Sequence, residues 1–159
     1  MNKFDPIIIP DGASPDDYAA RLMANRRAPI VLVACCGRKL DRAARAEDLY
    51  TSDLFKKARA WAEKFGLAWY ILSAKHGIVP PGRVIKPYDL TLAGMTPYEV
   101  EVWNLNIAKT LAPHADRDVV VLAGERYCAW TAHRTNVIRP VKGMGIGQQK
   151  SWLKAQVAG

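Results

Sequence analysis

Three short apolar runs, each broken abruptly by small or ionisable residues, set the pattern of this chain. Ile30 to Ala34 follows Pro29 as an unbroken β-branched and apolar run. About Ala68 to Leu72 repeats it, and Asp118 leads into a third, Val119 to Ala123. Runs of this length without alternation belong to strands covered on both faces. Between them the period becomes helical. Thr51 or Ser52 can cap a helix with Asp53 in its first turn. Leu54, Phe55, Ala58, Trp61, Ala62 and Phe65 then form one stripe, which Gly66 stops. A second helix begins at Thr96-Pro97 and carries Glu99 and Glu101 near its start. Its apolar positions are Val100, Trp103, Leu105, Ile107, Ala108 and Leu111, and Pro113 closes it. Strand, helix, strand with short joins is a right-handed crossover, so the first two runs pair in parallel.

The ends of the chain add less. Pro6 and Pro10 flank Ile7-Ile8-Ile9 in an extended leader, and Ser14-Pro15-Asp16-Asp17 opens a helix to about Asn25. Gly124-Glu125-Arg126-Tyr127 turns out of the third run into a short helix, and Val137 to Pro140 reads as a last strand. A closing amphipathic helix presents Ile146, Trp152, Leu153 and Val157. The expected fold is α/β, three-layered, with a mostly parallel sheet of about four strands and helices on both faces. Residues 1–28 form an N-terminal extension with one helix, and 29–159 a single α/β domain.

One stretch resists this periodicity. From Ser73 to Met95 about twenty residues show neither a helical nor an alternating pattern, and loops of that length are functional or disordered. Ile78, Val79, Val84, Ile85 and Leu90 are apolar anchors that favour order. The stretch leaves a strand whose end delivers Ser73, Lys75 and His76 to the carboxyl edge of the sheet, where open α/β folds bind ligands.

Composition narrows the partners. The net charge is +8, from 23 Lys plus Arg against 15 Asp plus Glu, and the cations cluster in or beside predicted loops rather than in a tail. Such an excess favours polyanions, because each cation docked on a phosphate releases counterions. The expected partner is nucleic acid, DNA favoured over RNA, or a nucleotide. The competing reading of the same charge is solubility alone. No run of roughly eighteen apolar residues exists to span a membrane, and the N-terminal apolar stretch is too short for a signal peptide, so a cytoplasmic location is expected. Three cysteines, Cys35 and Cys36 adjacent, make no disulfide framework. His76, His114 and His133 are scattered and no CxxC or HxxxH spacing occurs, so neither a metal nor a cofactor is expected. The sequence leaves the oligomeric state open.

Candidate chemistry sits at three strand ends. Cys36-Gly37-Arg38-Lys39 can wrap a phosphate with backbone amides and cations, or form a solvated basic turn. Cys36 is a nucleophile if Lys39 or Arg38 lowers its pKa, and otherwise a small strand-end residue. After the second strand, Ser73, Lys75 and His76 offer an anion clamp or a general acid or base. Asp89, held by Pro87 and Tyr88, can activate water or stabilise a developing cation, or merely cap a turn. Tyr88 can stack on a base or fill the core. At the third strand end Gly124, Glu125 and Tyr127 look to the same edge. The run Gly143, Gly145, Gly147 with Gln148 reads as an anion-binding helix start or a flexible turn. Together these segments are expected to converge on one cationic hollow.

These residues carry resemblances. Leu72-Ser73, Gly77, Pro80 or Pro81, Ile85, Pro87-Tyr88, Leu90 and Met95 resemble the corresponding loop of the YaaA family, bacterial peroxide-stress proteins that bind DNA. A strand ending in Ser before a glycine turn, with Cys36 and Lys39 ending the preceding strand, is similar to the core domain of archaeosine synthase, a tRNA base-modifying enzyme. A family of uncharacterised bacterial and phage proteins is closer. It shares the cysteine-glycine strand end, Leu49-Tyr50-Thr51, the segment 73–77, the Ala123-Gly124 turn with Tyr127, and the run from Gly143 through Gly145-Ile146-Gly147-Gln148-Gln149.

The resulting expectation is a nucleobase-directed enzyme, an N-glycosidase or base-modifying enzyme. Arg38, Lys39 and the glycine run would hold phosphate, Tyr88 would stack on an extruded base, and Asp89 or Glu125 would supply the carboxylate. The alternatives are a DNA-binding stress protein without turnover, or a nucleotide- or sugar-phosphate-binding enzyme.

Overall fold

The computed structural model of the chain describes residues 29–34, 37–64 and 68–158. The apolar runs become parallel neighbours. β1 (Ile30–Ala34) lies between β3 (Ala68–Ser73) and β6 (Val119–Leu122), with Ala34 opposite Leu72 and Val33 opposite Leu122. Two shorter strands flank them, β4 (Gly77–Val79) antiparallel to β3 and β7 (Val137–Ile138) parallel to β6. The sheet order is therefore β4-β3-β1-β6-β7.

Because successive strand side chains point to opposite faces, β1 feeds two cores at once. Val31 and Val33 pack with Phe55, Ala58 and Trp61 of α2 (Asp53–Lys64) and Leu153 of α4 (Ile146–Ala158). Ile30, Leu32 and Ala34 pack with Trp103, Ile107 and Leu111 of α3 (Pro97–Leu111) and with Trp130. The result is the expected three-layer α/β arrangement. Burying each side chain of Val or Phe size contributes about 1.5–3 kcal/mol, so Phe55, Trp61 and Trp130, all at most 1% exposed, are its strongest anchors.

Helix ends follow the residues that cap them. Ser52 Oγ accepts from the amide of Phe55 at 3.2 Å. Thr96 Oγ1 accepts from the amide of Glu99 at 3.2 Å and donates to its carboxylate at 3.1 Å, with Pro97 in the first turn. Past the end of α3, the Arg134 guanidinium donates to the carbonyls of Leu111, His114 and Arg117.

The structure departs from the expectation mainly between the strands. The stretch 73–95 is not a plain loop. Gly77, at φ +70°, turns the chain back so that Ile78 and Val79 pair with β3. Further on, β5 (Val84–Ile85) pairs antiparallel with β2 (Ala44–Arg45). A four-residue helix, α1 (Ala46–Leu49), precedes the helix expected from about Ser52. These pieces are two to four residues long, too short to show a period. Leu90, Val84, Leu105 and Ile146, expected on apolar faces, are exposed. The leader, the helix from Ser14, and Cys35, Cys36, Phe65 and Gly66 lie outside the described residues. Among the described residues no helix is long and apolar enough to cross a membrane.

Candidate functional site

Parallel pairing brings the carboxyl ends of β1, β3 and β6 to one edge. The ends of β3 and β6 flank β1, so two strand spacings, roughly 10 Å, separate them. Each end carries a different construction.

At the end of β3, Ser73 is fully buried. Its Oγ accepts from the amide of His76 at 3.1 Å and lies 2.6 Å from the hydroxyl of Tyr88. That hydroxyl lies 2.7 Å from Tyr50's, which makes a chain of three buried hydroxyls. The Ser73 carbonyl accepts from Trp103 Nε1 at 3.0 Å. Lys39 Nζ stands 4.4 Å from the Tyr88 ring centre and 5.7 Å from Tyr50's, and Lys75 Nζ is 6.0 Å from the Tyr88 ring. Such cation–π contacts are worth about 0.5–2 kcal/mol, depending on desolvation. The His76 ring meets Tyr88 edge-on at 5.5 Å. Burial holds the His76 pKa below its ordinary value, and the charges of Lys75 and Arg83 lower it further. The segment bearing Lys39 is pinned, since Leu40 donates to Leu49 and Thr51 to Arg38 through the backbone. Gly37 adopts φ +77° at the start of that segment, a conformation that favours glycine.

At the end of β6 the chain leaves a hollow of about 250 Å³. Its walls are mostly apolar, from Ala34, Leu54, Leu122 and Val141 among others, with Glu125, Arg126, Tyr127 and Gln149 as its polar lining. Gly124 lies on the wall with φ −70°, and a Cβ placed there would meet nothing within 4 Å. Neither conformation nor crowding demands glycine at this position. Glu125 Oε1 accepts from Arg139 Nη2 at 2.8 Å and from the Gly143 amide at 3.3 Å. The Arg139 bond first, then the Gly143 amide and the Arg139 charge, hold the Glu125 carboxyl below the usual carboxylate range. It is thus a standing anion at neutral pH, better fitted to stabilise a cation than to take a proton. Tyr127 meets Trp103 edge-on at 5.7 Å, and Trp103 ties to Ser73, so one indole braces both strand ends.

Residues 30–155 match a family of unknown function, DUF6884. This chain belongs to DUF6884. No curated protein and no solved structure gives a significant match.

In this DUF6884 chain the expected site residues divide between the two strand ends. Lys39, Ser73, Lys75, His76 and Tyr88 gather at β3, and Gly124, Glu125 and Tyr127 at β6. Gly145 and Gln148 serve the start of α4, where Gln148 Oε1 accepts from the Gly145 amide at 3.0 Å as half of a capping box. That acceptor is thereby engaged in the cap. Gly147 is exposed in the first turn of α4. Arg38 and Asp89 are exposed, and the side chain of Asp89 forms no hydrogen bond or ion pair with a described residue. Cys36 lies outside the described residues. Tyr88 is 9% exposed with Lys39 over its ring, so a stacked base there would first have to displace Lys39. Among the described residues no single cationic hollow gathers these side chains: the hollow at β6 is apolar-walled, and Lys39 and Lys75 stand over Tyr88 instead. Among the described residues no three of His, Cys, Asp and Glu are grouped to hold a metal ion.

Sequence reasoning did not single out Tyr50, Arg126, Arg139 and Gln149 as site residues. Gln149 left a signal: it precedes Leu153 by four residues and so sits on the buried stripe of α4, where a polar side chain is out of pattern. Tyr50 left a weaker one, an aromatic between a basic loop and a helix cap.

Proposed function

We propose that this DUF6884 protein acts on a nucleobase within, or derived from, nucleic acid, as an N-glycosidase or base-modifying enzyme with DNA the favoured source. The observation that carries this reading is the apolar-walled hollow with the ionised Glu125 on its lining, at the carboxyl edge of a parallel sheet. A planar base is the kind of group such a slot accepts. A stacked base hides its faces, so the substrate is single-stranded or extruded.

In the glycosidase form, the bond between C1′ and the base nitrogen breaks and its electron pair leaves with the base, which takes up a proton from solvent. Water adds to C1′ and releases a proton. The sugar is cationic in between, and the Glu125 carboxylate lowers the barrier by facing that charge. Lys39, Arg38 and Arg126 meet the phosphates. Tyr88 supports Lys39 from below, and the hollow takes over the role of base platform. The likeness to YaaA and to archaeosine synthase adds nucleic acid and base chemistry as the context.

The test is release of free base from single-stranded oligonucleotides, followed by chromatography. Glu125→Gln keeps an oxygen acceptor for Arg139 and is expected to lose roughly a hundredfold or more in release, while oligonucleotide affinity stays within about threefold. Equal release by the variant, or neither release nor binding by the unaltered protein, overturns the proposal. DNA binding without turnover is the second reading, favoured by the net charge of +8. It predicts affinity with no release by either protein.

A further inference from the structure

The hollow contains one polar side chain whose position its apolar surroundings do not explain. Gln149 is 6% exposed and lines the hollow from the first turn of α4. Its Nε2 donates to the Met144 carbonyl at 3.0 Å, which fixes which end of the amide is nitrogen. Its Oε1 accepts no hydrogen bond from a described residue. That oxygen is not sealed in the core: it stays reachable from solvent, an open acceptor on the stripe where α4 otherwise buries Leu153.

We infer that Gln149 reads the hydrogen-bonding edge of the base bound in the hollow, with Oε1 accepting from a ring or exocyclic N–H of the heterocycle. The inference rests on the nucleobase reading above and narrows it. The ligand must offer an N–H on its Watson–Crick edge, and that edge must be free of a pairing partner. A base still paired in duplex cannot bind. A base whose edge N–H is replaced by N-methyl presents a methyl group to the amide oxygen and leaves it unsatisfied.

Calorimetric titration of the full chain with the four deoxynucleoside 5′-monophosphates, each beside a form whose edge N–H is methylated away (1-methyl for guanine, 3-methyl for thymine, dimethylation of the exocyclic amino group for adenine and cytosine), tests this. The tightest unmodified ligand is expected to lose roughly ten- to a hundredfold on methylation, the scale set by an unpaired buried acceptor. Gln149→Met, similar in volume, is expected to shrink that ratio to within about threefold. The methylation arm needs no variant, so a poorly folding Gln149→Met leaves the test intact. Equal binding of unmodified and methylated ligands overturns the role of Gln149 while leaving the hollow as a base site. Absence of binding by every nucleotide overturns both.

Discussion

The ends of β3 and β6 lie on either side of β1, yet among the described residues one is filled and the other is not. At β3, Ser73, Tyr88 and Tyr50 spend their hydroxyls on one another, and Lys39 closes over the rings. At β6, Gly124 and Gln149 border open space, and the described residues supply no donor to the Gln149 oxygen. Two constructions at one sheet edge therefore divide the labour. The filled end is a scaffold that holds cations in place, and the unfilled end is where a ligand has room.

The sharpest way to break this comparison is to fill the open end. Gly124→Trp has no strained φ to meet and no neighbour within 4 Å of its Cβ. It is expected to reduce nucleotide affinity by roughly a hundredfold or more, while the cost in stability stays within about 0.5 kcal/mol. Calorimetry and thermal melting read the two effects. Unchanged affinity would move the site away from β6.

The converse change opens the filled end. Tyr88→Phe removes the central hydroxyl and takes one buried hydrogen bond each from Ser73 and Tyr50, which is expected to cost about 1–3 kcal/mol in urea unfolding. Nucleotide affinity should hold within about threefold. A stable variant that loses binding would reverse the roles of the two ends.

What the sequence disclosed follows the same division. Apolar runs such as Val119 to Leu122 announce buried strands, because burial on both faces leaves its mark on every residue. The strand ends were legible too, since parallel runs must finish at one edge. Partnership was not. Nothing in the order of residues places Tyr50 against Tyr88, thirty-eight positions apart. The short pairing of Ala44–Arg45 with Val84–Ile85 is equally hidden, because two residues cannot display a period. Tyr88 therefore read either as a base platform or as core, and its burial with Lys39 over the ring favours core. Gln149 was named only as part of a run, although its place on the stripe of α4 marks it.

Smaller effects sharpen the contrast. Lys39→Ala is expected to weaken DNA binding several-fold at low salt and to lower the slope of log affinity against log salt by about one, the change that follows when a single phosphate loses its cation. Affinities measured between roughly 50 and 300 mM salt resolve that slope. An unchanged slope would mean that Lys39 serves the Tyr88 ring alone.

The smallest effect expected is on acid stability. His76 has its pKa lowered by burial and by Lys75 and Arg83, so the unfolded chain binds that proton more readily. The stabilising contribution is complete above the ordinary histidine value near 6.5 and is lost as pH falls through the lower folded value. Unfolding midpoints should therefore decline below about pH 6.5, and His76→Gln should flatten that limb. A decline of the same size in the variant would assign it to other groups.

The most direct test is a crystal of the protein soaked with each deoxynucleoside monophosphate in turn. The account predicts that the base of at least one lies in the hollow between Gly124 and Gln149, with its phosphate toward the cations of the same edge. A base seated over Tyr88 after displacement of Lys39, or a hollow holding only water in every soak, would contradict it.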